Sequence, residues 1–185
     1  MPQDNPGIPL SYKDVTIKAC INDFARIEEM LITLGAVYIG HDAQTDYYFE
    51  TANGKLKLRQ GIIENVIIHY RRDETDGVEK TTVFRYEENP TADQVNQLKK
   101  ENKLLGVIKK SRKIYRAGKL KIHLDTMPGG QHFIEIEAID VTNRVTEEEI
   151  KNQCLELKQK LGIPDSHLVK TGYLQEMVFP QKLRS

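Results

Sequence analysis

The sequence predicts an α+β chain of about eight antiparallel strands, apolar on one face and ionised on the other, with helices to cover only part of the apolar face. The first observation is Lys55-Leu56-Lys57-Leu58-Arg59, where cation and leucine alternate without a miss. Successive residues of a strand point to opposite faces, so this stretch gathers three cations on one side and its leucines on the other. The second is the return of the pattern at Leu120 to Asp125, where Leu120, Ile122 and Leu124 oppose Lys121, His123 and Asp125. The third is its reversal in sign at Phe133 to Ala138, where Ile134 and Ile136 oppose Glu135 and Glu137. An open sheet of such strands exposes its edges, whereas a closed barrel has none.

The elements follow in order. Tyr12 to Cys20 alternates Val15, Ile17 and Ala19 with Asp14, Thr16 and Lys18. Asp23 caps a helix with Ile27, Met30, Leu31 and Leu34 at helical spacing, ended by Gly35. Val37 to Phe49 reads as a strand with a Tyr47-Tyr48-Phe49 run, and Thr51 to Gly54 turns the chain into the Lys55 strand. Ile62 to Arg72 is rich in β-branched residues and ends in cations, and Lys80 to Glu87 is a further strand. Pro90 and Thr91 open a second helix through Val95, Leu98, Leu104 and Leu105, closed by Gly106, with strand resuming at Val107. In Val107 to Arg116, Lys109 and Lys113 share parity with Val107 and Tyr115, so the pattern leaves open which cations face inward. Met127 to Gly130 is a turn. Thr146 and Glu149 form a capping box for a third helix through Ile150, Cys154, Leu157 and Leu161. The tail through Tyr173 and Phe179 is expected to pack as a short helix.

With 185 residues the chain is expected to form one domain over residues 11–180, after a flexible leader over 1–10 that holds three prolines and a glycine. Lys plus Arg equals Asp plus Glu at 27 each, which argues against a protein that coats nucleic acid nonspecifically, so any basic surface is local. Cys20 and Cys154 lack metal-ligand spacing and read as reduced thiols. The N-terminal stretch has neither a basic n-region nor an apolar h-region, and no apolar run is long enough to span a membrane as a helix. A cytoplasmic protein is expected. Phosphate-binding Gly-rich loops of the G-x-x-x-x-G-K-[ST] type, H-E-x-x-H and paired-cysteine motifs are absent from the sequence.

If the strands close with charge inside, Lys18, Lys55, Lys57, Arg59, Arg72, Lys80, Arg112 and Lys121 converge on Asp14, Asp125, Glu135 and Glu137. The cations call for a polyanion and the carboxylates for a cation; a triphosphate with bound Mg²⁺ satisfies both. The same pattern also suits a solvated polar face with cross-strand salt bridges. His123 shares parity with Lys121 and Asp125 and reads first as a hydrogen-bonded structural histidine, with a hydrogen bond to phosphate or general-acid work as the alternatives.

The ordered set Asn53 to Arg59 (NGKLKLR), Ile67 to Asp73 (IIHYRRD), Lys109 to Tyr115 (KKSRKIY), Lys121 to Asp125 (KIHLD) and Phe133 to Glu137 (FIEIE) resembles the CYTH domain of class IV adenylyl cyclases and of thiamine or inorganic triphosphatases, the triphosphate tunnel metalloenzymes. The resemblance covers about residues 12–178 and is strongest to the bacterial cyclase-like branch. It implies a closed eight-stranded antiparallel tunnel with flanking helices. It implies that Lys57, Arg59, Arg72, Lys80, Lys110 and Arg112 grip phosphates and that Asp125, Glu135 and Glu137 serve a metal, with Asp14 assisting. Lys55 and Lys121 are further candidates for substrate binding, and Lys18, Asp125, Glu135 and Glu137 for catalysis. The implied cofactor is Mg²⁺ or Mn²⁺. The implied substrate is tripolyphosphate, thiamine triphosphate or ATP, without membrane or general nucleic-acid partners and with a homodimer left open.

One departure bears on the activity. The family's N-terminal motif is E-x-E-x-K, and this chain reads Asp14-Val15-Thr16-Ile17-Lys18. Asp14 keeps a charge on a shorter arm and Thr16 offers a neutral hydroxyl, so metal affinity is expected to fall. Three readings follow: a triphosphate hydrolase, an adenylyl cyclase that expels pyrophosphate from ATP, and a noncatalytic triphosphate or nucleotide binder.

Overall fold

The computed structural model describes residues 11–75 and 78–169. The leader expected over 1–10, the helix expected around Tyr173 and Phe179, and residues 170–180 of the expected domain lie outside the described residues. Eight strands run in the order β1 (Ser11–Ile21), β2 (Val37–Phe49), β3 (Lys55–Gln60), β4 (Val66–Thr75), β5 (Val78–Glu88), β6 (Leu104–Ala117), β7 (Leu120–Thr126) and β8 (His132–Asp140). Three helices, α1 (Phe24–Thr33), α2 (Ala92–Glu101) and α3 (Glu147–Lys160), and a 3₁₀ turn at Asp165–His167 complete the described chain. The strands close into a barrel in the order β1-β5-β4-β3-β2-β6-β7-β8, every pairing antiparallel. The expected eight-stranded antiparallel tunnel with flanking helices is the observed fold.

The apolar residues point outward, under the helices, and the ionised residues point inward. In β3, Leu56 and Leu58 are buried with Phe49, Ile67 and the α2 residue Leu98, while Lys57 and Arg59 face the lumen. On the opposite side α1 and α3 cover β1, β7 and β8: Ile27, Leu31, Ile150, Cys154, Leu157 and Leu161 pack with Val15, Ala19, Ile122, Leu124, Ile134 and Ile136. Burial of this set against water is the main force closing the ring, at ~25 cal/mol per Å² of apolar surface. A third cluster of Ile108, Met127 and Phe133 packs with Tyr48 and Val169, and the last two also line the lumen.

The helix ends follow the sequence signals. The Asp23 side chain accepts the backbone N–H of Arg26 at 3.0 Å, and α1 gives way at Gly35, which has φ +84°. Both α2 and α3 carry reciprocal capping boxes, Thr91 with Gln94 and Thr146 with Glu149. Glu28 on α1 accepts from Lys113 at 2.7 Å and from the Tyr115 hydroxyl, tying this helix to the outside of β6.

Two boundaries differ from expectation. Strand β4 begins at Val66 and not at Ile62, because Asp42 accepts the backbone N–H groups of Ile62 (2.7 Å) and Glu64 (3.0 Å) and folds this segment inward as a loop. Strand β6 begins at Leu104 and not after Gly106, since α2 stops at Asn102, whose extended backbone starts the return to β2, where Leu104 pairs with Phe49.

A charged tunnel as candidate active site

The barrel encloses a cavity of about 880 Å³. Its walls take Tyr12, Thr16 and Lys18 from β1; Lys55, Lys57 and Arg59 from β3; Tyr70 and Arg72 from β4; Lys110 and Arg112 from β6; Lys121 and His123 from β7; and Glu135 and Glu137 from β8. The polar faces read from alternation in β1, β3, β7 and β8 meet in this lumen, and strand register adds Lys110 and Arg112 of β6.

Inside it, ion pairs hold the guanidinium groups rigid. Arg112 is bidentate to Asp125, at 2.7 and 2.6 Å, and also reaches Glu135 at 3.4 Å. Arg59 is bidentate to Asp46 at 2.8 Å for both bonds, and Lys110 shares the same carboxylate at 2.8 Å. Both arginines are thereby held above their ordinary pKa by the carboxylates they face, against the opposing effect of burial. Lys18 lies 3.6 Å from Glu135, and the His123 Nδ1 lies 3.3 Å from the same carboxylate. Glu135 is part-buried and is held well below the usual carboxylate range: desolvation works against its charge, but Arg112, His123 and Lys18 together outweigh it.

Lys57 stands apart. It makes no ion pair with any described carboxylate, and its one described partner is the Tyr70 ring, 5.7 Å from its Nζ to the centroid. Burial first, then the neighbouring Arg59, pulls its pKa down to about 7, although the side chain is only part-buried because it faces the open lumen. Lys110 is also lowered to about 7, by burial and then by Arg112 and Arg59, whose combined effect exceeds that of an Asp46 already shared with Arg59.

Not every predicted residue meets the lumen in the same way. Lys80 is exposed and lies on the outer face, one residue out of phase with Thr81, which does line the cavity; its expected place among the phosphate contacts is corrected on this ground. Lys55 is exposed where it lines the cavity. Asp125 is fully buried with both oxygens taken by Arg112. Asp14 accepts from Thr81 at 2.5 Å and lies 3.3 Å from Arg72, so its carboxylate is tied to the wall. Glu137 makes no hydrogen bond or ion pair with any described residue.

Two lumen carboxylates escaped the sequence reading. Asp46 shares a strand face with Asp42, Gln44 and Tyr48, an alternation visible in the sequence but obscured by the aromatic run beside it. Glu64 lies in the loop between β3 and β4, where the sequence predicts strand, and it meets Lys121 at 2.6 Å, Arg59 at 3.0 Å and Arg112 at 3.6 Å.

Among the described residues, no three His, Cys, Asp or Glu side chains form a ready metal-binding group. The Thr16 hydroxyl, however, is buried without a hydrogen-bond partner among the described residues, and Thr16 lies in register with Glu137 across β1 and β8. Mg²⁺ ordinarily takes one or two carboxylates and completes its shell with water and substrate phosphate. Glu137, Glu135 and Thr16 fit an ion held in that shared way and not one caged by protein alone.

The chain that builds this tunnel matches, over residues 13–173, the model of a known family described as the CYTH domain. The chain belongs to the CYTH domain family. A Methanocaldococcus jannaschii relative, provisionally named an adenylate cyclase, is 22% identical over 173 residues, covering 88% of this chain and 97% of its own. Among solved CYTH-like structures, the PH1012 protein of Pyrococcus horikoshii superimposes with a TM-score of 0.75 at 23% identity, covering 88% of this chain and 98% of that one. A Hippeastrum protein described as an adenylyl cyclase candidate with a dominant triphosphatase activity superimposes with a TM-score of 0.59 at 17% identity, covering 92% of this chain and 96% of that one. At these identities the solved structures establish the shared CYTH fold.

Proposed function

We propose that this CYTH protein binds a triphosphate in its lumen and hydrolyses it with the help of a divalent ion, Mg²⁺ or Mn²⁺. The observation that carries the reading is Lys57, a lumen cation crowded by Arg59, Arg72 and Arg112, with no ion pair to any described carboxylate and only the more distant Asp46, itself taken by Arg59 and Lys110, to offset them. Such a group loses its proton or acquires an anion, and a polyphosphate chain supplies the anion. Lys55, Lys57 and Arg72 hold and orient the chain, and they neutralise charge that develops on the leaving phosphate. Arg59, Arg112 and Lys110, already fixed by Asp46 and Asp125, present donors that need no reorganisation during the reaction. Glu137, which makes no hydrogen bond or ion pair with any described residue, and Glu135, with Lys18 beside it, hold the ion and orient a water. The chemistry such an ion supplies is polarisation of a phosphate oxygen and activation of bound water. Tripolyphosphate, thiamine triphosphate and ATP all present the required chain, and the cytoplasm is the compartment proposed.

A second reading, a triphosphate binder without turnover, is favoured by the tying of Asp14 to Thr81 and Arg72 and by the neutral hydroxyl at Thr16. The test is phosphate release from the three substrates with and without Mg²⁺ or Mn²⁺, with chromatography of the ATP samples for cyclic AMP and pyrophosphate. Metal-dependent phosphate release that is lost in Glu137→Ala supports hydrolysis, and cyclic AMP would assign cyclase chemistry instead. Tight binding without turnover, with activity appearing only in Asp14→Glu/Thr16→Glu, would establish the binder.

A further inference from the structure

Glu64 occupies an unusual place in a tunnel that recruits anions. It lines the cavity and ion-pairs with Lys121 at 2.6 Å, Arg59 at 3.0 Å and Arg112 at 3.6 Å, while the Gln44 side-chain amide donates to it at 2.8 Å. One carboxylate thus sits among three cations from three different strands, in the manner of a phosphate group. The loop that carries it is built for the purpose. Asp42, almost fully buried, accepts the N–H of Ile62 and of Glu64 itself, and the Gln44 amide also donates to Asp42 at 3.0 Å. Gly61 approaches so closely that a β-carbon there would lie 2.3 Å from an Asp42 oxygen. The loop cannot swing without breaking these contacts, which hold Glu64 within the cation cluster.

We propose that Glu64 is a specificity-determining residue: a resident carboxylate that fills the next phosphate position, so that the lumen accepts short polyphosphate chains and turns longer ones away. The inference rests on the triphosphate reading above. A chain held by Lys55, Lys57 and Arg72, with Arg59 and Arg112 donating to its near end, stops before Glu64, because a further phosphate would meet a fixed like charge and compete with it for Lys121, Arg59 and Arg112. Removing the carboxylate's charge leaves Arg59 still paired with Asp46 and Arg112 with Asp125, and opens the cluster to an additional phosphate.

The experiment is titration calorimetry of metal-free protein with pyrophosphate, tripolyphosphate and tetrapolyphosphate, comparing the natural chain with Glu64→Gln. The natural chain is expected to gain affinity from two to three phosphates and nothing further at four. Glu64→Gln is expected to bind tetrapolyphosphate about tenfold more tightly than the natural chain does, with the gain lost in Glu64→Gln/Lys121→Gln. Gly61→Ala, which pushes a β-carbon onto the Asp42 carboxylate and displaces the loop while keeping every charge, is expected to shift the length preference in the same direction, and the melting temperature of each variant separates a folding defect from a change in length preference. If both proteins bind tripolyphosphate but show the same dependence on chain length, the role of Glu64 is overturned and the triphosphate reading stands. An equal gain at every length is the effect of net charge alone and also overturns it. Failure of tripolyphosphate to bind either protein overturns both readings.

Discussion

Substituting Lys57 by Met tests the electrostatics of the tunnel directly. In the free protein the Lys57 pKa lies at about 7 against an ordinary 10.5, so at pH 8 only about one molecule in ten carries this proton. A bound polyphosphate places negative charge beside the amine and restores the pKa toward its ordinary value. Binding at pH 8 is therefore accompanied by uptake of ~0.9 proton at this site, in addition to whatever the ligand and Lys110 exchange. The assay is calorimetric titration of tripolyphosphate into metal-free protein in buffers that differ in ionisation enthalpy; the slope of observed heat against that enthalpy counts protons. Lys57→Met is expected to lower the count by about 0.9 and to weaken binding by at least about tenfold. An unchanged proton count would refute the view that this lysine is the lumen's uncompensated charge, whatever happens to the affinity. The same group sets a stability trend in the free protein. The unfolded chain binds the Lys57 proton more tightly than the folded one, so the penalty is complete below pH 7 and is lifted as pH rises from about 7 toward 10.5. Lys57→Met is accordingly expected to raise the melting temperature at neutral pH without ligand, by an increment that shrinks toward pH 10.

Other outcomes follow from the geometry. Lys80→Ala is expected to leave tripolyphosphate affinity within about twofold of the natural protein, because the side chain lies outside the barrel; a loss above tenfold in the same titration would put it back in the site. Ile136→Ala, in the core beneath α3, is expected to cost about 2–5 kcal/mol in denaturant unfolding. Gly54→Ala combines φ +72° with a β-carbon 2.2 Å from the Tyr70 carbonyl oxygen, and is expected to destabilise by at least about 1–3 kcal/mol in the same measurement. Thr146→Ala removes the capping hydroxyl of α3 and is expected to cost about 1 kcal/mol.

The alternation of single strands was determined by sequence alone, because period two is a local property of an extended backbone. It assigned Lys57 and Arg59 in β3, Lys121 and His123 in β7, and Glu135 and Glu137 in β8 to the polar face, and the lumen contains all six. Helix caps at Asp23, Thr91 and Thr146 were equally local and equally legible. Tertiary structure decided what local periodicity cannot. The ambiguity in β6 is resolved by register with β2 and β7, which sends Lys110 and Arg112 inward and leaves Lys113 to pair with Glu28 outside. Lys80 faces outward because the pairing of β5 with β1 and β4 sets the phase that brings Thr81 to the lumen. Glu64 enters the site only because Asp42, distant in sequence, captures two backbone N–H groups and bends a β-rich segment into a loop; no pattern within that segment announces it. Which charges face one way is written in the strand, whereas which charges meet depends on the register and closure of the whole ring.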